Sequence, residues 1–174
     1  MEGLGSRRVS PLFRSGLIAA VAALVLDQAS KLWLLNVFEL GPRGTVRITP
    51  FFDLVLAWNT GISYGWFQDS GPVGQTILLA FKAAAVIVLG IWMARSGTRL
   101  AVIGLGLIIG GAIGNAIDRL AYGAVVDFAL FHLEIGGKTY NWYVFNLADV
   151  AIVAGVAALL YDSFVTPDAA KTPR

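Results

Sequence analysis

Four stretches of this chain, at about residues 17–37, 73–94, 100–117 and 145–164, are each roughly twenty residues long and almost wholly apolar. An α-helix rises about 1.5 Å per residue, so about 20 apolar residues cross the hydrocarbon core of a bilayer. A chain of 174 residues has no water-soluble core large enough to hide four such helices, and only 14% of its residues are charged, against roughly 25% in a soluble domain. The sequence therefore predicts a membrane protein, mainly α: a single integral domain over residues 1–174, built as a four-transmembrane-helix bundle.

Charge sets its orientation. Arg7, Arg8 and Arg14 precede the first span, Arg95 and Arg99 lie between the second and third, and Lys171 and Arg174 end the chain. By the positive-inside rule these segments, with the N and C termini, are cytoplasmic. Residues 38–72 and 119–144 then face outward, although Arg43, Arg47, Arg119 and Lys138 weaken the bias. The first basic and apolar stretch resembles a secretory signal, but no small-residue cleavage site follows it, so it reads as an uncleaved helix. Net charge is +2 with the basic residues in short flanks, which gives no footprint for nucleic acid. The absence of cysteine removes disulfides, thiolate nucleophiles and thiolate zinc sites.

The outer connections carry β signals. Residues 45–49 and 51–58 are β-branched and aromatic and bounded by Gly and Pro; residues 131–135 and 138–144 flank Gly136-Gly137, a hairpin turn. A small extracytoplasmic β-sheet resting on the membrane is expected. Trp58, Tyr64, Trp66 and Phe67, with Gly61, Gly65 and Gly71 as hinges, read as an interfacial cover. In the third span Gly106, Gly110 and Gly114 recur every four residues beside Gly104 and Gly111. Such a stripe allows close helix packing, expected within the chain rather than between chains.

Ionisable residues inside a span cost several kcal/mol and ask for a reason. Asp27 and Lys31 lie one turn apart, either as a neutralising pair with the lysine reaching outward or as groups that position a site. Lys82 has no partner legible in sequence. Asn115 and Asp118 lie three apart at the outer end of span three, and Asn146 and Asp149 repeat that spacing at the start of span four. Counting the hairpin from Ile135 opposite Lys138 brings Asp127 opposite Asn146, with Asp149 one helical turn on. Two adjacent carboxylates share one proton and divide an acid-base task between them. Against this, Asp149 would also suit a helix cap, and Asp118 suits a partner of Arg119 or an anchor of the loop.

Other chemistries fit less well. Neighbours Ser30 and Lys31 point about 100° apart on a helix, unsuited to a Ser/Lys dyad. His132 reads as a polar strand residue. A cation held by Asp118, Asp127 and Asp149 has no supporting motif, so no metal or cofactor is expected. A proton-coupled carrier and a scaffold whose aspartates only cap helices are the competing functional classes.

DQASK at Asp27, NTGISYG at Asn59, GGAIGNAIDR at Gly110, VVDF at Val125 and FNLAD at Phe145 resemble, in order and spacing, the five motif regions of bacterial lipoprotein signal peptidase, signal peptidase II. That resemblance implies an aspartic endopeptidase of the bacterial inner membrane whose catalytic residues are Asp127 and Asp149. Asp27, Asn59, Asn115, Asp118, Arg119 and Asn146 match the family's supporting and substrate-binding positions. The implied substrate is a diacylglyceryl-modified prolipoprotein, cut just before the lipidated cysteine by a site near the outer face. The implied partners are that substrate and membrane lipids, without nucleic acid, and the enzyme is expected to be a monomer. Residues 129–143 match no motif, so the hairpin there rests on the residues alone.

Overall fold

Proline is tolerated in the first turn of a helix, where its missing N–H has no partner to lose. Pro11 opens α1 (Pro11–Asn36), and the computed structural model describes residues 11–60 and 71–165. After α1 come α2 (Leu40–Arg43), β1 (Val46–Thr49), β2 (Phe52–Asn59), α3 (Gly71–Arg95), α4 (Arg99–Tyr122), β3 (Val125–Ile135), β4 (Lys138–Asn141) and α5 (Leu147–Val165). Among the described residues, α1, α4 and α5 are long and apolar enough to cross a membrane. The basic N-terminal residues 1–10, most of the expected cover (61–70) and the tail after 165 lie outside the described residues.

The helices are apolar on the outside and small or polar within. Ile18, Leu26, Phe81, Ile87, Val153 and Phe164 all face outward, an arrangement stable only where the surroundings are hydrocarbon. The central helix α4 meets α1, α3 and α5. A Cβ on Gly104 would stand 2.8 Å from the Gly155 carbonyl oxygen, and on Gly106 it would collide with the Gly16 carbonyl. The glycine stripe is thus spent on packing inside the chain, as expected. Ala20, Met93, Val102, Leu105 and Ile109 fill the space beside it.

Thr98 caps α4, its Oγ1 accepting from Ala101 N at 3.1 Å. The helix outruns the expected end at 117 because Asp118 and Arg119 find buried partners. It stops where Gly123 takes φ 73° and donates its N–H to the Arg119 carbonyl at 3.0 Å, a left-handed stop that suits glycine.

The four strands form one antiparallel sheet in the order β1-β2-β3-β4. Gly136 (φ 58°) and Gly137 (φ 76°) make the two-residue turn, with Ile135 opposite Lys138 as counted from sequence. That register runs to His132 opposite Asn141 and then slips by one, so that Ala129 pairs with Phe145. The slip is taken back immediately, because Phe128 N and Ala129 N both donate to the Phe145 carbonyl, at 3.0 and 2.8 Å. Two backbone donors on one acceptor are the mark of a bulge. The backbone partner of Asp127 is Ala57 on β2, and Asn146 reaches Asp127 through its side chain instead. Leu34, Leu40, Phe128 and Ala129 pack together, fixing the sheet to the end of the bundle where α1 finishes and α5 begins.

Candidate active site

The FNLAD segment encodes its own local geometry. Asn146 precedes the first turn of α5, its Oδ1 accepting from Asp149 N at 3.0 Å. Asp149 reaches back, its Oδ2 accepting from Asn146 N at 3.2 Å. This reciprocal capping box satisfies two donors that a helix start leaves open. The capping role expected of Asp149 is therefore real, and it leaves the other oxygen for a second task. Oδ1 accepts from Asn115 Nδ2 at 3.0 Å.

Asp127 lies on β3 and is only 3% exposed. Its Oδ1 accepts from Asn146 Nδ2 at 2.6 Å and its Oδ2 from Asn59 Nδ2 at 3.0 Å. Asn146 Nδ2 also lies 3.1 Å from Asn115 Oδ1. Two asparagine amides in contact thus hold one carboxylate each, Asn146 on Asp127 and Asn115 on Asp149. Burial pushes the Asp127 carboxyl up from its ordinary 3.8 to about 6; the Asn59 and Asn146 amides oppose that, and the negative charge of Asp149 adds to it.

Beneath the two carboxylates sits a buried ion cluster. Lys31, 2% exposed, donates to Asp27 Oδ2 at 2.8 Å and to Asn115 Oδ1 at 3.1 Å, and its ammonium forms an ion pair with Asp118 Oδ2 at 2.7 Å. The expected Asp27–Lys31 pair exists, but the lysine does not reach outward, because these acceptors surround it within the bundle. Asp27 Oδ1 accepts from Ala148 N at 2.9 Å, and Asp118 Oδ2 from Val126 N at 3.1 Å. Ala148 immediately precedes Asp149 and Val126 immediately precedes Asp127. One ammonium thereby ties together the backbone supports of both carboxylates. Asp118 anchors the loop through Val126 N, and its ion pair at 2.7 Å is with Lys31, with the charge of neighbouring Arg119 also acting on it.

Arg119 is buried, its Nη1 3.3 Å from the Asn115 carbonyl, and its charge acts on Asp127, Asp118 and Asp149. All eight residues singled out in the sequence meet in this one region. Gln28 is the participant that sequence reasoning missed: its Nε2 donates to Asp118 Oδ1 at 2.8 Å and to the Gly114 carbonyl at 3.1 Å. Its place inside DQASK, between Asp27 and Lys31, was the available signal. Lys82 of α3 is half-buried and acts electrostatically on the same cluster, Arg119 and Asp149 foremost. His132 is a buried strand residue as expected, 3.2 Å from Asp53 Oδ2, and Ser30 Oγ donates to the Asp27 carbonyl at 2.7 Å instead of meeting Lys31.

The family model for signal peptidase II matches residues 19–165. The chain is 78% identical over 165 residues to a lipoprotein signal peptidase of Nitrobacter hamburgensis, covering 95% of this chain and 100% of that one. It is 73% identical to one of Rhodopseudomonas palustris, over 92% of this chain and 98% of that one. Among solved structures, a bacterial membrane enzyme shares the fold with a TM-score of 0.71 at 24% identity, over 89% of this chain and 93% of that chain. The matched stretch runs from within α1 to the last residue of α5 and takes in every polar group described above, and on that ground the chain belongs to the signal peptidase II family.

Proposed function

We propose that this membrane-embedded peptidase removes the signal peptide of diacylglyceryl-modified prolipoproteins by cleaving just before the lipidated cysteine, with Asp127 and Asp149 as its catalytic dyad. The observation that carries this reading is the amide bridge: Asn146 on Asp127 at 2.6 Å, Asn115 on Asp149 at 3.0 Å, and the two asparagines 3.1 Å apart. The names of the relatives, lipoprotein signal peptidases, supply the substrate class.

In the mechanism we favour, Asp149 is ionised and Asp127 carries the shared proton. Water adds to the scissile carbonyl carbon; its proton passes to Asp149 while Asp127 protonates the carbonyl oxygen, giving a neutral tetrahedral diol. Collapse breaks the C–N bond, Asp149 hands its proton to the leaving amine, and a diol hydroxyl returns its proton to Asp127. Asn59, Asn115 and Asn146 hold the carboxylates, Asp27 and Asp118 hold their backbone neighbours, and the Arg119 charge offsets the negative charge of the site.

The membrane arrangement that goes with this function has α3 as the fourth span, supported by its 25-residue length and by the outward-facing Ile77, Phe81, Ile87, Val88 and Ile91. The termini are then cytoplasmic and the dyad lies near the outer face, with the chain acting as a monomer. Trp58 is exposed, edge-on to Tyr122 with ring centroids 5.6 Å apart, which suits the start of an interfacial cover.

The pH profile tests the assignment of the proton. With the Asp127 carboxyl raised to about 6, the required proton is held below that value and lost above it. On the alkaline side kcat/KM, which reports the free enzyme, should fall about tenfold per pH unit once the pH passes about 6. A rate that stays level from pH 6 to pH 8 would remove Asp127 as the acid.

A further inference from the structure

Lys82 is a charged side chain inside α3 that no step of the proposed chemistry uses. It shares a helical face with Val86, Leu89 and Met93, which pack with Val102, Leu105 and Ile109 of α4. The chain returns from α3 to α4 through residues 96–98, so the two helices run antiparallel, and Met93 and Val102 meet beside Gly16. The rise from Met93 back to Lys82 is about 16 Å. The same rise along α4 from Val102 reaches Ile113, close below Asn115. A Cα–Cβ bond leans toward the N-terminus of its helix, so the lysine chain climbs from there toward the sheet end of the bundle, where the dyad stands. The charges that act on its ammonium agree with that placement: Arg119 and Asp149 foremost, then Lys31 and Asp118.

The other cations of the site are already engaged. Lys31 is held by Asp27, Asn115 and Asp118, and Arg119 donates to the Asn115 carbonyl. Among the described residues, no hydrogen bond or ion pair engages the Lys82 ammonium. Lys82 and Asp149 are half-buried, whereas Lys31, Asp118 and Arg119 are buried. A ligand at the dyad therefore meets Lys82 before the cluster beneath.

The reaction creates an anion that suits this cation. Hydrolysis turns the neutral scissile amide into a carboxylic acid on the signal peptide and an amine on the lipidated cysteine. The acid ionises, its proton passing to the amine, and a carboxylate is left beside Asp149, itself ionised again at that stage. Two carboxylates side by side repel each other strongly away from water. An ammonium next to both offsets that repulsion, donates a charge-assisted hydrogen bond to the new carboxylate and repels the ammonium of the other product. We propose that Lys82 is a binding residue for the carboxylate end of the cleaved signal peptide, holding that product in the site while the lipoprotein departs. The proposal rests on the dyad reaction above and extends it to the step after cleavage.

Two fluorescent synthetic signal peptides, alike except that one ends in a free carboxylate and the other in a primary amide, provide the test when titrated at neutral pH into purified full-length protein in detergent. The wild type should bind the carboxylate about tenfold more tightly than the amide. Lys82→Met keeps the length of the side chain and removes a charge from a span, a change that the bilayer favours. It should bind the two peptides equally, with the amide affinity of the wild type. Lys82→Arg should keep a severalfold preference for the carboxylate. Equal affinities in the wild type would overturn the proposal, and so would a preference that survives in Lys82→Met, which would move the carboxylate to another cation such as Arg119. A Lys82→Met protein that loses both peptides in proportion would overturn it as well, since that marks a lysine needed only for shape. Cleavage of a lipidated peptide by the wild type in the same detergent tests the dyad reaction separately. Cleavage without a carboxylate preference removes the role of Lys82 alone, whereas no cleavage removes the reaction and with it the product that Lys82 holds.

Discussion

Asp127→Asn and Asp149→Asn should each lower kcat by about three to four orders of magnitude, with KM little changed and the helical content intact. Each substitution removes a proton carrier and leaves the shape of the side chain. The two should differ in stability. Both oxygens of Asp149 accept N–H groups, one from Asn115 and one from Asn146 in the capping box. An amide in its place keeps one acceptor and sets its NH₂ against a donor, a loss of about 1 kcal/mol. Asp127 also accepts two N–H groups, from Asn146 and Asn59, but it carries a second effect, its burial. Its folded-state pKa of about 6 exceeds the ordinary 3.8, so the folded protein binds the extra proton between those values. By linkage, its contribution to stability is full below about 3.8 and is lost as pH rises through about 6. The neutral amide introduced by Asp127→Asn has no charge to bury at pH 7, which offsets the loss of setting its NH₂ against the Asn59 or Asn146 donor, so the Tm of that variant there should stay close to that of the wild type. The double variant should be no slower than either single one, because the pair acts as a unit. Single-turnover cleavage and thermal melts of the purified variants provide the measurements; near wild-type kcat in either single variant would remove that residue from the dyad.

Lys31→Met should be the most destabilising single change, by about 3–5 kcal/mol, because it leaves Asp27 and Asp118 buried without their common cation. It should also reduce kcat in the protein that survives, since the backbone supports at Ala148 and Val126 hang on those two carboxylates. Adding Asp27→Asn to Lys31→Met removes one uncompensated charge and should restore part of the stability, a non-additivity expected of residues in direct contact. Melting temperatures of the two single variants and the double provide the cycle. Strict additivity would mean that the ammonium and the carboxylate do not act on each other as their 2.8 Å separation indicates.

What was legible in the sequence divides along physical lines. Local rules sufficed for the four long helices, for the Gly136-Gly137 turn and for Asp149 as a helix cap, because each depends on residues a few positions apart; the short α2 had no such signal. The meeting of Asp127 and Asn146 came from counting a strand register, and it survived only because the slip near residues 142–144 is cancelled by the double donation to Phe145. No periodicity signals two compensating irregularities. The Asp27–Lys31 pair was readable as neighbours one turn apart, whereas the second carboxylate on that lysine, Asp118, comes from α4 and is set by helix packing through the glycine stripe. The contacts of Gln28 follow from packing in the same way: its partners at Asp118 and Gly114 lie across the α1–α4 interface, and its place inside DQASK was its one signal in the sequence. The five motifs marked these residues together, and the structure supplies the reason they belong together.

In the dyad mechanism a water molecule, rather than a side chain, attacks the peptide bond. A single turnover of a lipidated prolipoprotein by the wild-type enzyme in oxygen-18 water, with mass spectra of the products and of the enzyme, tests that directly. The expected result is one heavy oxygen in the new carboxylate of the released signal peptide, cleavage just before the lipidated cysteine, and an enzyme mass unchanged at every time point. An enzyme species heavier by the mass of the signal peptide less one water, appearing before product, would mean a covalent acyl intermediate and would contradict the dyad mechanism.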